Sequence, residues 1–221
     1  ENLYLFADDL KLFDEIKGED DVENMQSNLD QLYDWTCYSM LKFHPGKCKV
    51  MRLTPPRSAG PSVYPFYSMD DLRLEIVDKE KDLGIIIDEK LTFEEHINSK
   101  VNKANSLTGM IRRTFSYFDE TIFKQLFVSL VRPHLEYGAP IWNPHTKKMI
   151  NLIENVQRRA TKLVPGLREL SYEQRLRKLE LPTLKYRRYR GDMIETYKLA
   201  HELNDTDVCH TFLKFNRSDA S

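Results

Sequence analysis

The stretch Leu3-Tyr4-Leu5-Phe6-Ala7-Asp8-Asp9-Leu10-Lys11-Leu12-Phe13 places two arms of aliphatic and aromatic residues around two adjacent aspartates. Such arms favour extended backbone, and a short acidic turn between them predicts a tight β-hairpin. Its tip would carry two carboxylates on a stiff apolar support. Hard oxygen donors of this kind suit Mg²⁺, which takes one or two carboxylates and shares its other positions with phosphate and water. An Asp-Asp pair alone is more often a solvated turn, so the rest of the chain has to supply the context.

The 221 residues are enough for one large domain or two small ones, and 41% hydrophobic with 30% charged residues marks a soluble globular chain. No apolar run approaches the length of a membrane span. Glu1-Asn2 opens directly onto the hairpin with neither a basic leader nor an initiator Met. The expectation is a piece of a longer intracellular protein, nuclear or cytoplasmic. Cys37, Cys48 and Cys209 are odd in number and far apart, which excludes a disulfide framework. His44 and Cys48 have metal-ligand spacing, but no second ligand pair accompanies them.

A net charge of −1 conceals a division along the chain. Residues 1–99 hold 11 Lys/Arg against 21 Asp/Glu, residues 100–190 hold 19 against 7, and residues 191–221 hold 3 against 6. A strongly basic middle suggests a polyanionic partner, and an acidic first part suggests cation binding. Attraction between the two parts within the fold is the plainer alternative.

Helical spacing of Val22, Met25, Leu29, Leu32 and Trp35 or Thr36 predicts a helix after Glu19-Asp20-Asp21, ending near Met40. His44-Pro45-Gly46 reads as a turn, and residues 47–53 as an alternating strand. Residues 54–69, rich in proline and serine, read as a loop. Two strands follow at 72–77 and 83–88, with Lys79-Glu80-Lys81-Asp82 as their turn. From Leu91 the pattern is helical. Thr92 and Glu95 form a capping box, and Phe93, Ile97, Val101, Ala104 and Ile111 make one apolar face. A helix from Asp119 carries Phe123, Phe127, Leu130 and Val131 until Pro133 bends or ends it. Another runs from Thr146 to Leu163, stopped by Pro165-Gly166. Ser171 and Gln174 box the next, and Thr183 caps the last, which extends to about Leu203.

The order of these segments resembles the C-terminal part of a reverse transcriptase of the non-LTR retrotransposon (LINE-type, jockey-like) family. Phe6-Ala7-Asp8-Asp9 is similar to the catalytic palm motif. Leu41 through Cys48 resembles the palm motif that follows it, and Lys81-Asp82-Leu83-Gly84-Ile85 resembles the segment near the primer grip. Leu91-Thr92-Phe93 with His96-Ile97 is similar to the start of the thumb. The stretches at 131–138, 142–144, 153–160 and 187–194 complete the likeness, which covers about residues 3 to 205. Two departures stand out: His44 replaces a common Asn, and Phe6 replaces the commoner Tyr.

The resemblance implies an α+β fold. Residues 1–54 would be the end of the palm, with hairpin, helix and strand. Residues 55–90 would be the Pro-rich loop and a primer-grip-like hairpin, 91–165 a helical thumb, 166–205 post-thumb helices and 206–221 a frayed tail. It implies RNA-directed DNA polymerisation, a nucleotidyl transfer onto a primer 3′-OH supported by two Mg²⁺ ions, with Mn²⁺ as a substitute. Asp8 and Asp9 would hold metal, and Lys47 would assist the leaving pyrophosphate. Lys100, Lys103, Arg112, Arg113, Arg158, Arg159, Lys162, Arg187, Arg188 and Arg190 would contact the phosphates of an RNA template and DNA primer. Tyr186 and Tyr189 would stack or hydrogen-bond there. The fingers and the other metal-binding palm aspartate would lie before Glu1, so the expectation for the isolated chain is inactivity with dNTPs. The alternative is a non-catalytic nucleic-acid-binding remnant or a host-adopted module.

Overall fold

The computed structural model describes residues 3–40, 43–54, 65–115, 117, 119–201 and 203. They form an α+β fold, with seven α-helices and small two-stranded sheets among the described residues. Two compact units emerge. One comprises the described residues of 1–80 and 88–90, the other those of 81–87 and 91–221. No helix among the described residues is long and apolar enough to cross a membrane.

The first unit opens with β1 (Leu3–Phe6) and β2 (Asp9–Leu12), antiparallel, with Phe6 opposite Asp9. The connection is therefore two residues, Ala7 and Asp8. Ala7 takes the left-handed conformation, φ 52°, at the first loop position, where such hairpins require positive φ. The stacked rings of Tyr4 and Phe13, 5.1 Å apart, brace the open end. Helix α1 (Glu19–Ser39) follows. The Asp21 carboxylate accepts from the backbone N–H of Lys17 and Gly18 at 2.7 and 3.0 Å, which fixes the chain's entry into the helix. Met40 ends the helix at φ 60°.

Two short pairings complete this unit. β3 (Lys49–Met51) runs parallel to β6 (Glu75–Val77). β4 (Ser68–Met69) pairs with β5 (Leu72–Arg73) through Asp70-Asp71, whose φ values of 53° and 58° give the two positive angles a tight hairpin turn demands. Tyr67, Met69 and Leu74 are buried against Val22, Met25, Leu29 and Tyr33 of α1. The Gln26 amide locks this packing by bonding both backbone groups of Ser68 at 3.0 Å.

These pairings correct four expectations. The alternating strand at 47–53 is only three residues long, because Pro45–Lys47 forms a 3₁₀ turn before it. Of the loop expected at 54–69, residues 55–64 lie outside the described residues, and Ser68–Met69 form β4. The strand expected at 72–77 breaks at Leu74, which turns into the core. The charged tetrad at 79–82 is itself strand β7 (Lys79–Asp82), paired with β8 (Ile85–Asp88). Leu83 and Gly84, at φ 44° and 85°, form the turn instead. Two successive left-handed positions suit that pair far better than four charged residues.

The second unit is helical. α2 (Glu94–Thr114) buries Ile97, Val101, Ala104 and Ile111. It opens from Phe93 at φ 54°, one residue later than the Thr92–Glu95 pairing implies. α3 (Glu120–Leu126) is capped by the Asp119 carboxylate on the Ile122 N–H at 2.8 Å. It continues into a single wide π turn, Phe127–Val131, where the Arg132 N–H reaches back to the Phe127 carbonyl. A tighter turn, Arg132–Leu135, follows. Pro133 supplies no N–H to an α-helical ladder, so the helix changes geometry around it.

After the short helix α4 (Ala139–Trp142) come α5 (Lys147–Ala160), α6 (Tyr172–Leu179) and α7 (Leu184–Ala200). Thr146, Ser171 and Thr183 accept from the N–H groups of Met149, Gln174 and Tyr186 respectively. Gln174 returns the bond to the Ser171 N–H at 2.9 Å, completing a capping box. One continuous core joins Ile97, Phe127, Trp142, Ile153 and Leu184. Trp142 is 2% exposed and donates through Nε1 to the Tyr137 carbonyl at 2.7 Å, as a buried indole requires.

Candidate metal-binding hairpin and nucleic-acid interface

In the first unit, the β1–β2 turn presents Asp8 and Asp9 to solvent, both exposed. Asp8 lies in the loop and Asp9 opens β2, so their side chains leave the ribbon at different bearings. Two carboxylates on a hairpin tip fit the protein share of a Mg²⁺ shell that substrate and water would complete. Among the described residues no group of three or more His, Cys, Asp or Glu converges on one point. Lys47 closes the 3₁₀ turn, its N–H bonded to the His44 carbonyl at 2.8 Å and its side chain exposed.

In the second unit the basic residues divide by helix phase. Along α2, Lys103, Arg112 and Arg113 are exposed, whereas Lys100 is half-buried. Burial, and then the charge of Lys81, hold the Lys100 ammonium below its ordinary range. At about 100° per residue, these four spread around the outer surface rather than forming one stripe. On α5, Arg158 and Arg159 are exposed, as is Lys162 just beyond. The Arg158 guanidinium lies 4.3 Å from the centre of the Tyr172 ring, a cation–π pairing in which the ring holds the charge at the surface.

The three arginines of α7 have separate environments. Arg187 forms a two-point pair with Glu136, its Nε and one terminal nitrogen donating to the two carboxylate oxygens. That pairing raises the already high pKa of the guanidinium. Arg188 is 2% exposed and bonds through Nε to the Asn143 side-chain oxygen at 3.2 Å. Arg190 is exposed and makes no hydrogen bond or ion pair with a described residue. Tyr186 and Tyr189 share the outer surface of α7 with Met193 and Tyr197, all exposed. Arg188 thus stands apart from any surface row of phosphate contacts.

Sequence reasoning overlooked the buried polar network that holds these helices. The Glu154 carboxylate accepts from the Leu184 and Lys185 N–H groups at 3.3 and 3.0 Å, and from the Tyr172 hydroxyl. An anion thereby sits on the N-terminus of α7, where the helix dipole favours it. Burial first, and then the Glu154 bond, push the Tyr172 phenol far above its usual range. Gln157 bonds the Tyr172 hydroxyl and the Pro182 carbonyl at 3.1 and 3.0 Å. Asn143, from the Trp-Asn-Pro stretch, also donates to Asp192. The stretches at 131–144 and 187–194, separate in sequence, thus meet through Glu136–Arg187 and Asn143–Asp192. A polar residue at an apolar phase of a helix, such as Arg188 four residues after Leu184, was the available signal.

Comparison with known proteins gives a partial likeness. An uncharacterized protein of Caenorhabditis elegans is 33% identical over 82 residues, covering 37% of this chain and 41% of that one. A probable RNA-directed DNA polymerase from the transposon X-element of Drosophila melanogaster is 24% identical over 172 residues, covering 74% of this chain and 18% of that one. The chain spans less than half the length of either relative. No family model matches it, and no solved structure does.

Proposed function

We propose that this chain is part of an RNA-directed DNA polymerase of a non-LTR retrotransposon, contributing one carboxylate-bearing strand turn and a basic helical surface. The observation that carries the reading is the tight hairpin with Asp8 in its two-residue turn and Asp9 opening its second strand, found in a chain similar over 74% of its length to a probable transposon polymerase. Asp8 and Asp9 would hold Mg²⁺, or Mn²⁺ in its place. When bound, the ion supplies charge neutralisation for phosphoryl transfer. The chain's own residues do the rest. Lys47 offsets charge on a departing pyrophosphate. Lys103, Arg112, Arg113, Arg158, Arg159, Lys162 and Arg190 engage backbone phosphates of template and primer, with Lys100 at their edge. Tyr186 and Tyr189 offer ring faces and hydroxyls beside them.

Two measurements on the full chain test this. Mn²⁺ should broaden the NMR signals of Ala7, Asp8 and Asp9 at substoichiometric concentration, and Asp8→Asn with Asp9→Asn should abolish the effect. Affinity for an RNA–DNA hybrid should fall steeply with salt, and Arg158→Ala with Lys162→Ala should reduce the log–log slope by about 1 for each phosphate no longer neutralised. A flat salt dependence together with uniform Mn²⁺ broadening would refute the reading.

A further inference from the structure

α7 buries one side, at Leu184 and Arg188. The side of a surface helix turned to water is ordinarily polar, yet the opposite side of α7 is not. At about 100° per residue, Tyr186, Tyr189, Met193 and Tyr197 fall within roughly 40° of one line opposite Leu184. They are 48–70% exposed. Three phenol rings and a thioether thus form a row running roughly 16 Å along the helix axis.

The charge around the row and the rings within it decide what it can take. Lys185 and Arg190 border it, roughly 80° and 60° from its midline. The acidic residues of α7 turn away. Asp192 lies about 100° off, its carboxylate accepting from Asn143, and Glu195 lies about 160° off, paired with Lys198. A cationic border of this kind favours a polyanion. Helices that pack on one another interlock chiefly aliphatic side chains, whereas rings one turn apart offer flat faces to planar groups. The Lys185 ammonium lies 5.4 Å from the centre of the Tyr189 ring, and His201 stacks on Tyr197 at 4.0 Å. Each of these rings is steadied from one side, and its exposure leaves area for a second planar group.

We infer that this side of α7 binds an unpaired stretch of nucleic acid, its bases stacking on Tyr186, Tyr189 and Tyr197 and its phosphates drawn by Lys185 and Arg190. Paired bases hide their faces inside the duplex, so the rings select a single strand. Every base has a π face, so the stacking tolerates any sequence. The inference rests on the polymerase reading for its class of partner, and gives α7 a strand outside the template–primer hybrid rather than the hybrid itself.

Fluorescence anisotropy on the full chain tests it with two labelled probes, an oligo(dA) dodecamer and an abasic dodecamer of equal charge. The dA probe should bind at least tenfold more tightly. Tyr186→Leu with Tyr189→Leu keeps good helix formers and exposed apolar area but removes two rings. It should weaken the dA probe at least tenfold, leave the abasic probe and the melting temperature unchanged, and so erase the preference. Arg190→Gln should weaken both probes alike. Equal binding of the two probes by the unaltered chain, or a dA preference that survives the tyrosine variant, would overturn the inference. So would a dimer in sedimentation that the tyrosine variant dissolves, with no dA preference, since the row would then belong to a second copy. The hybrid titration separates this from the wider reading. Steep salt dependence for the hybrid without a dA preference sinks the stacking row alone. A dA preference with a flat hybrid response sinks the hybrid contact and leaves the row standing.

Discussion

A Cβ on Gly138 would stand 2.6 Å from Cδ1 of Ile85, closer than real side chains approach one another. Gly138 also takes φ 64°, so two independent constraints converge on it. The Tyr137 hydroxyl donates to the Leu83 carbonyl at 2.9 Å, holding the β7–β8 turn against the same corner. Gly138→Ala should therefore destabilise the second unit by roughly 1–3 kcal/mol, read as a lower urea midpoint at unchanged slope. An unchanged midpoint would mean that Ile85 moves aside freely.

His96 gives the second unit a pH dependence. Its ring is fully buried, accepts at Nδ1 from the Ile86 N–H at 3.1 Å, and has no partner at Nε2 among the described residues. Burial, assisted by the charge of Lys100, lowers its pKa from 6.5 to about 4. The unfolded chain therefore takes up this proton first as pH falls. Stability should be fully present above pH 6.5, decline between about 6.5 and 4, and lose at most about 3 kcal/mol across that window. Denaturant titrations at pH 7 and 4.5 measure the decline, which should be smaller in His96→Gln.

Glu154 joins α5 to the start of α7 and to Tyr172 of α6. Glu154→Ala leaves two backbone donors and a buried hydroxyl without their acceptor and should cost about 2–4 kcal/mol. Tyr172→Phe removes the bond donated to the carboxylate and the one accepted from Gln157, and should cost about 1.5–3 kcal/mol. The double variant should cost less than the sum, since both changes disrupt one network. Additivity in a double-mutant cycle would show the two groups to be uncoupled.

What the sequence made legible was local. Asp119, Thr146, Ser171 with Gln174, and Thr183 cap the helices as read, because each cap acts within three residues of its own position. The Asp8–Asp9 hairpin was legible for the same reason, with apolar arms and a short turn in one continuous stretch. The β strands at 68–82 were harder. Pieces of two to four residues carry too little periodicity to separate a charged strand from a charged turn. The buried polar network was the least visible part. Arg187, Arg188 and Arg190 are chemically alike in the sequence, and only the phase of α7 against α4 and α5 separates an ion pair, a buried cation and an exposed surface charge.

Phe123, Phe127, Val131 and Leu135 are all buried although they recur at strict four-residue intervals. In an ideal α-helix each such interval overshoots a full turn by about 40°, so the fourth member would drift about 120° around the axis. The wide turn at Phe127–Val131 advances fewer degrees per residue and offsets the drift as far as Val131, before the tighter turn Arg132–Leu135 takes over. The segment acts as a phase corrector between α3 and the corner that carries Glu136. Deleting one residue within it would swing that corner by about 100°, and Glu136 would no longer meet Arg187.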